Sequence, residues 1–152
     1  MTKKSTKKEN EIIAQALQIL EGRIVKAESF ITKPEDAVNF IKLKIATLEH
    51  EVFTVIFLNS QNGVIEYSEM FRGTINGASV HPREVVKQAL SVNAASVLFA
   101  HNHPSTFAQP SQADRHITTK LVDALALVDI KVLDHFVVGG VEHFSFSENG
   151  WL

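Results

Sequence analysis

A short apolar run that leads directly into His101-Asn102-His103-Pro104 constrains this chain more than any other stretch. The run, at residues 96–100, has the length and the β-forming residues of a buried strand. Side chains two apart on a strand share a face, so both imidazoles can bind one metal ion without backbone distortion. Pro104 cannot donate to a central ladder and is expected to end the strand. The sequence therefore predicts a metal-binding histidine pair at the end of a buried strand.

A helix is predicted to begin at Ser111, after a loop over residues 105–110 that contains Ser, Thr and Pro. Ser111 can cap the free amides of the first turn, and a helical apolar repeat follows from Ile117. Asp114 lies in that first turn, where two interpretations stay open. Ser-x-x-Asp resembles a capping box with the acid favoured by the helix dipole. Alternatively, the helix start can swing back toward the strand end, which makes the carboxylate a third metal ligand.

The donor set of His101, His103 and Asp114 points to zinc. Catalytic zinc sites keep three protein ligands and leave the fourth position to water, whereas structural sites close the tetrahedron, usually with Cys. This chain contains no Cys, which also excludes disulfides and thiolate chemistry. The pattern therefore favours a catalytic zinc site.

The spacing of these residues resembles the signature of the JAMM metalloprotease family: His-x-His, seven residues, Ser, two residues, Asp, without a gap. Further segments resemble the RadC-like JAB domains of bacterial DNA repair proteins, namely residues 71–74, 79–86, 101–105 and 133–135. The resemblance extends from about Thr32 to Leu152. It implies an α/β fold of the JAB/MPN type, a three-layer α/β/α sandwich with a mixed sheet, similar to the cytidine deaminase fold.

The resemblance also implies a function, a zinc-dependent hydrolase that cleaves peptide or isopeptide bonds. His101, His103 and Asp114 would hold the zinc, which lowers the pKa of bound water toward about 7. Glu51 would act as general base and then general acid. Ser111 would donate a hydrogen bond to the oxyanion, although a capping role alone stays open for this hydroxyl.

Two acids compete for the general-base position. Glu51 precedes Val52-Phe53 and matches the Glu-x-Phe that opens the corresponding strand in RadC-like domains. Glu49 has the same strand parity, so side-chain direction does not separate the two. Only the motif favours Glu51, and without it either acid would be an ordinary solvated charge at a strand end.

Two departures from the family pattern are visible. Thr106 stands where the family usually has Gly, which is expected to change the flexibility of the loop near the metal. The helix-hairpin-helix region that precedes the JAB domain in longer members has no counterpart here. This departure removes the part most easily associated with DNA. The alternative that the RadC resemblance implies is a non-catalytic protein- or DNA-interaction module, associated with DNA repair or mobile elements. The intact ligand set argues against it.

Deamination is excluded on the residues. The zinc site of the deaminases needs His-x-Glu and a later Pro-Cys-x-x-Cys, and this chain has neither.

The length of 152 residues and the hydrophobic content of 45% suit one compact domain with a real core. Residues 1–8 carry four lysines and almost no apolar side chains, which predicts a disordered basic tail. Residues 9–31 are predicted to form an N-terminal helix and a connection, and residues 32–152 the RadC-like JAB/MPN domain. The helix could dock on the domain or pair with a second copy in a homodimer.

Charge and hydropathy restrict the partners. The formal charge of -2 and the pI near 6.4 provide no general attraction to nucleic acid, so we expect at most weak binding through the lysine tail. The chain has no apolar run long enough to span a bilayer and no hydrophobic signal-peptide core, which predicts a cytoplasmic protein without membrane contact. The expected partner is a peptide or protein substrate that the sequence does not identify.

Apolar patterns predict the remaining elements: a helix from Pro34 to about Leu48, a hairpin of strands at 51–58 and 64–71, a helix at 82–89 and a strand at 132–138. The first strand is apolar on both faces, which indicates a central position in the sheet. We expect the cleft at the metal site to be lined by the loop over residues 105–110 and by the segment over residues 73–80.

Asp134-His135 is a polar pair inside an apolar strand. One interpretation is a satisfied buried network with no role at the metal. The other is support for a metal ligand, because ligating histidines usually donate their second ring nitrogen to a neighbouring group.

Overall fold

The computed structural model describes residues 6–24, 34–73 and 80–152. In chain order its elements are α1 (Thr6–Ile24), α2 (Pro34–Ile45), β1 (Val52–Leu58), β2 (Val64–Arg72), α3 (Pro82–Ser91), β3 (Ser96–Asn102), α4 (Gln112–Ala126), β4 (Lys131–Gly139) and β5 (Glu142–Ser145). The predicted order of helices and strands is confirmed.

The five strands form one mixed sheet in the order β2-β1-β3-β4-β5. β1 is antiparallel to both of its neighbours, whereas β3 and β4 run parallel. Every residue of β1 and β3 is buried, as expected of strands with neighbours on both edges and helices on both faces. The prediction of a central first strand in a mixed sheet is therefore correct.

Alternate residues of the central strands build two separate cores. One face carries Phe53, Val55, Phe57, Val97 and Phe99, packed against apolar residues of α3 and α4. The other face carries Val52, Ile56, Leu58, Leu98 and Ala100, packed against α2. Each large apolar side chain buried in this way contributes about 1.5–3 kcal/mol relative to exposure. The result is the three-layer α/β/α arrangement expected for a JAB/MPN-type domain.

The N-terminal helix begins earlier than the sequence pattern indicated. α1 starts at Thr6, so Lys7 and Lys8 belong to the helix and not to a tail. Leu17 and Leu20 of α1 pack against the core on the α2 side, while Ile12 and Ile19 stay exposed. Residues 1–5 and the predicted connection over residues 25–33 lie outside the described residues. Pairing with a second copy stays a prediction.

Within the described ranges, no helix combines the length and the apolar character needed to cross a membrane.

Candidate metal centre

Three side chains able to hold a metal ion meet where β3 ends and α4 begins. The ligand atoms of His101, His103 and Asp114 lie within 4.8 Å of one another. His101 is the last residue but one of β3, and His103 follows directly after the strand. Asp114 lies in the first turn of α4. The structure thus brings together all three residues that the sequence proposed as ligands.

The contacts within this group converge on one point. Nε2 of His101 lies 3.2 Å from Nε2 of His103. Asp114 places Oδ1 at 3.3 Å from the first of these nitrogens and Oδ2 at 3.1 Å from the second. The side chain of His101 is fully buried, whereas that of His103 is 14% exposed. The group is therefore reached from solvent on the His103 side.

Burial and mutual contacts set the charges of the three groups. Burial favours a higher pKa for Asp114, but its close contacts with both histidines outweigh it and hold the pKa well below the usual value. Burial lowers the pKa of His101, and the contact with Asp114 offsets this only in part. The hydrogen bond to Asp114 raises the pKa of His103, against the effect of burial. At neutral pH the group therefore holds an ionised Asp114 and a neutral His101. His103 binds a proton more readily than a free imidazole does.

The loop after β3 fixes the ring of His103. Its Nδ1 lies 2.8 Å from the carbonyl oxygen of Phe107, which can only accept a hydrogen bond. Nδ1 must therefore carry the proton, and in the neutral ring Nε2 is left with a free lone pair. The backbone N–H of His103 also donates to the carbonyl of Val138 in β4 at 2.7 Å. The loop and β4 together aim Nε2 at the other two ligands.

Thr106 has a backbone conformation that favours glycine, the residue that the family usually has at this position. Its φ is 72°, in the left-handed region where a Cβ is strained. The loop also packs tightly on the end of β4, since a Cβ on Gly139 would lie 2.5 Å from the backbone nitrogen of Ala108. A glycine in β4 is therefore required for the loop to approach as closely as it does.

Glu51 lies at the end of the sheet that carries the histidines. Phe53 pairs with His101 in the last pair of the antiparallel ladder of β1 and β3, and Glu51 directly precedes β1 at this end. The N–H of Gly73 donates to the carbonyl of Glu51 at 2.9 Å, which extends the β1–β2 ladder to this position. The charge of Glu51 contributes to raising the pKa of both histidines, which places its carboxylate near them.

Asn102 was not singled out from the sequence, yet its side chain holds the segment that carries Glu51. It lies between the two histidines and points to the opposite face of β3. Its Oδ1 accepts from the N–H of Val52 at 2.8 Å, and its Nδ2 donates to the carbonyl of His50 at 2.9 Å. The signal available in advance was a buried amide at the end of an apolar strand, which must find partners.

Ser111 caps α4, and the Asp114 carboxylate that takes part in the cap also reaches the two histidines. The hydroxyl oxygen of Ser111 accepts from the N–H of Asp114 at 3.1 Å, and the N–H of Ser111 donates to Oδ2 at 2.8 Å. This is a capping box, and the same carboxylate contacts both histidines. The hydroxyl hydrogen of Ser111 is not used in the cap, so donation to an oxyanion stays a prediction.

The side chains of Asp134 and His135 lie on opposite faces of β4. Asp134 accepts hydrogen bonds from the N–H groups of His135 and Ser147 and from the hydroxyl of Ser145, which satisfies it within the β4–β5 region. His135 instead lies 2.7 Å from Nδ1 of His101 through its Nε2. Burial lowers the pKa of His135 well below its ordinary value, so the ring is neutral. The satisfied-network interpretation therefore holds for Asp134, while support for a metal ligand stays a prediction for His135.

The second cleft element expected from the sequence is described only in part. Of the segment over residues 73–80, Gly73 and Val80 are described, and residues 74–79 lie outside the described residues.

Comparison with known proteins shows clear similarity. Residues 31–151 match the family described as the RadC-like JAB domain. Two UPF0758 proteins of Vibrio cholerae serotype O1 are 54% and 51% identical over 144 residues, which cover 95% of this chain and 90% of each relative. A UPF0758 protein of Cellvibrio japonicus is 53% identical over 128 residues, which cover 84% of this chain but 57% of that relative. These names state no activity.

Proposed function

The chain belongs to the RadC-like JAB domain family, and on this premise we propose that it is a zinc-dependent hydrolase of peptide or isopeptide bonds. The observation that carries the proposal is the convergence of His101, His103 and Asp114, with ligand atoms within 4.8 Å of one another. Glu51 directly precedes β1 at the same end of the sheet.

The donor set fits zinc. Two imidazole nitrogens and a carboxylate oxygen are a common ligand set for catalytic zinc, which leaves one position for water or substrate. His103 presents Nε2 because its Nδ1 proton is donated to Phe107, and Asp114 stays ionised at neutral pH. When bound, zinc supplies Lewis-acid activation of water and polarisation of the scissile carbonyl.

Glu51 moves the proton in this proposal. Its carboxylate accepts a proton from the attacking water as the new C–O bond forms, and it returns that proton to the leaving nitrogen as the C–N bond breaks. The atoms balance to one carboxylic acid and one amine. Asn102 restrains the backbone on both sides of Glu51, which limits the movement of the carboxylate during this transfer.

Ser111 completes the machinery. Ser111 is exposed at the N-terminus of α4, and the hydrogen of its hydroxyl group is not used in the capping hydrogen bond. Donation of that hydrogen to the oxyanion would stabilise the tetrahedral state, and loss of one such donor typically costs about a hundredfold or more in rate.

Metal analysis of protein purified without added zinc tests the proposal first. We expect about one equivalent of zinc per chain, followed by zinc-dependent cleavage in a fluorogenic peptide library that chelation abolishes and added zinc restores. A metal-free chain that folds stably and cleaves nothing after zinc addition would favour the non-catalytic interaction module.

A further inference from the structure

A closed set of buried hydrogen bonds connects two of the proposed zinc ligands through residues outside the ligand set. Nδ1 of His101 lies 2.7 Å from Nε2 of His135, and Nδ1 of His135 lies 2.6 Å from the hydroxyl oxygen of Thr118. That hydroxyl lies 2.7 Å from the carbonyl oxygen of Asp114. None of these four residues is more than 2% exposed. The network runs from β3 through β4 to α4.

The direction of each hydrogen bond follows from the chemistry of the groups. A carbonyl oxygen only accepts, so Thr118 donates its single hydroxyl proton to Asp114. The hydroxyl must then accept from Nδ1–H of His135. A buried His135 without a carboxylate partner in this network is neutral and has one N–H, so its Nε2 accepts. His101 therefore donates from Nδ1, and its Nε2 lone pair faces His103 and Asp114.

Aromatic packing fixes the orientation of the His135 ring, which connects His101 to Thr118. His135 stacks on Phe146 with ring centroids 4.7 Å apart. Phe53 and Phe99 contact its ring edge-on at 5.5 and 5.9 Å. The imidazole cannot turn to exchange its two nitrogens without displacing these side chains.

We propose that His135 and Thr118 are positioning residues that hold His101 in the tautomer able to bind zinc and tie it to Asp114. This role rests on the proposed zinc site. The acceptor for His101 is a neutral imidazole and not the carboxylate that often serves a ligating histidine. The ring is thus oriented without adding a further negative charge to a centre that already holds Asp114 and Glu51.

Substitutions at Thr118 test the role without any substrate. Thr118→Val keeps the shape and removes the hydroxyl, whereas Thr118→Ser keeps the hydroxyl. Thr54→Val is the matched control, because the Thr54 hydroxyl is also buried and donates to the carbonyl of Ala100 at 3.0 Å, outside this network. The measurement is zinc affinity by competition with a chromogenic chelator, with folding checked by circular dichroism.

We expect Thr118→Val to weaken zinc binding by about 10- to 100-fold, the usual effect of losing support for a ligating histidine. Thr118→Ser and Thr54→Val should bind zinc like the unsubstituted protein. Unchanged affinity in a folded Thr118→Val variant, with normal zinc binding by the unsubstituted protein, would overturn the positioning role and leave the proposed hydrolase intact. Absence of any zinc binding by the unsubstituted protein would overturn both.

Nitrogen-15 NMR of the zinc-free protein at mildly alkaline pH gives a second readout, and its main test uses the unsubstituted protein. The ring of His101 should be protonated on Nδ1 alone, and His135 likewise. In Thr118→Val the single tautomer of His135 should give way to a mixture. Protonation of His101 on Nε2 in the unsubstituted protein would refute the proposed role.

Discussion

The side chain of Asn102 accepts a hydrogen bond from the backbone N–H of Val52 at 2.8 Å and so joins the end of β3 to the start of β1. Because side chains alternate along a strand, this amide faces away from the two histidines that flank it. One short segment therefore supplies two proposed zinc ligands on one face and restrains Glu51 from the other.

Removal of the Asn102 amide should weaken both the fold and catalysis. Asn102→Ala leaves the N–H of Val52 and the carbonyl of His50 without this partner, which typically costs about 1–3 kcal/mol for a buried group. We expect a lower free energy of unfolding in urea and slower hydrolysis with normal zinc content. Asn39→Ala, on the exposed side of α2, is the control and should change neither. Loss of zinc from Asn102→Ala would show that the amide supports the ligands and not Glu51.

Removal of either histidine should abolish stoichiometric zinc binding. The donor set is one nitrogen short in His101→Ala or His103→Ala, and zinc needs three protein ligands here. Metal content after dialysis measures the effect. A full equivalent of zinc in both variants would eliminate this site.

The two functions of Asp114 can be separated by comparison with Ser111. Both Asp114→Ala and Ser111→Ala break the capping box, which should cost about 0.5–2 kcal/mol of stability in each. Only Asp114→Ala should also lose zinc. Equal zinc content in the two variants would reduce Asp114 to a capping residue.

Glu51→Gln should separate turnover from metal binding. The substitution keeps the size of the side chain and removes the proton acceptor, so hydrolysis should fall by about two to four orders of magnitude. Zinc content and stability should stay normal. Glu49→Gln is the matched control and should be nearly silent, since Glu49 is exposed. Inactivity of the Glu49 variant together with activity of the Glu51 variant would contradict the register-based assignment.

Zinc affinity should depend on pH through His103. The hydrogen bond to Asp114 raises the pKa of His103 above the ordinary value of about 6.5, so zinc must displace a proton in that range. Affinity should therefore be highest above the raised pKa and decline as the pH falls through it. Titration calorimetry in buffers of different ionisation enthalpy should detect proton release. A pH-independent affinity across neutral pH would argue against His103 as a ligand.

A methyl group on Gly139 should disturb the loop that orients His103. Its Cβ would lie 2.5 Å from the backbone nitrogen of Ala108, so Gly139→Ala must shift the loop or the strand. We expect lower thermal stability and weaker zinc binding. Gly22→Ala is the control, because nothing lies within 4 Å of a Cβ at that position. Wild-type zinc affinity in Gly139→Ala would mean that the loop does not set the ligand geometry.

Local patterns in the sequence were sufficient for the elements and for the grouping of His101, His103 and Asp114. The apolar run before His101 and the cap at Ser111 are signals within a few residues, so they predicted β3, the start of α4 and the proximity of Asp114. The spacing of these residues also indicated the family, and with it the layered fold. Such signals succeed because strand alternation and helix capping depend on near neighbours in the chain.

Tertiary structure decided what depends on residues far apart in the chain. Strand parity could not separate Glu51 from Glu49, whereas the pairing of Phe53 with His101 brings the segment that carries Glu51 to the end of β3 where the histidines lie. Likewise, alternation implied that Asp134 and His135 face opposite sides, but the parallel pairing of β3 and β4 determines that His135 reaches His101. Register and packing angle join segments separated by tens of residues, and no local preference of the chain specifies them.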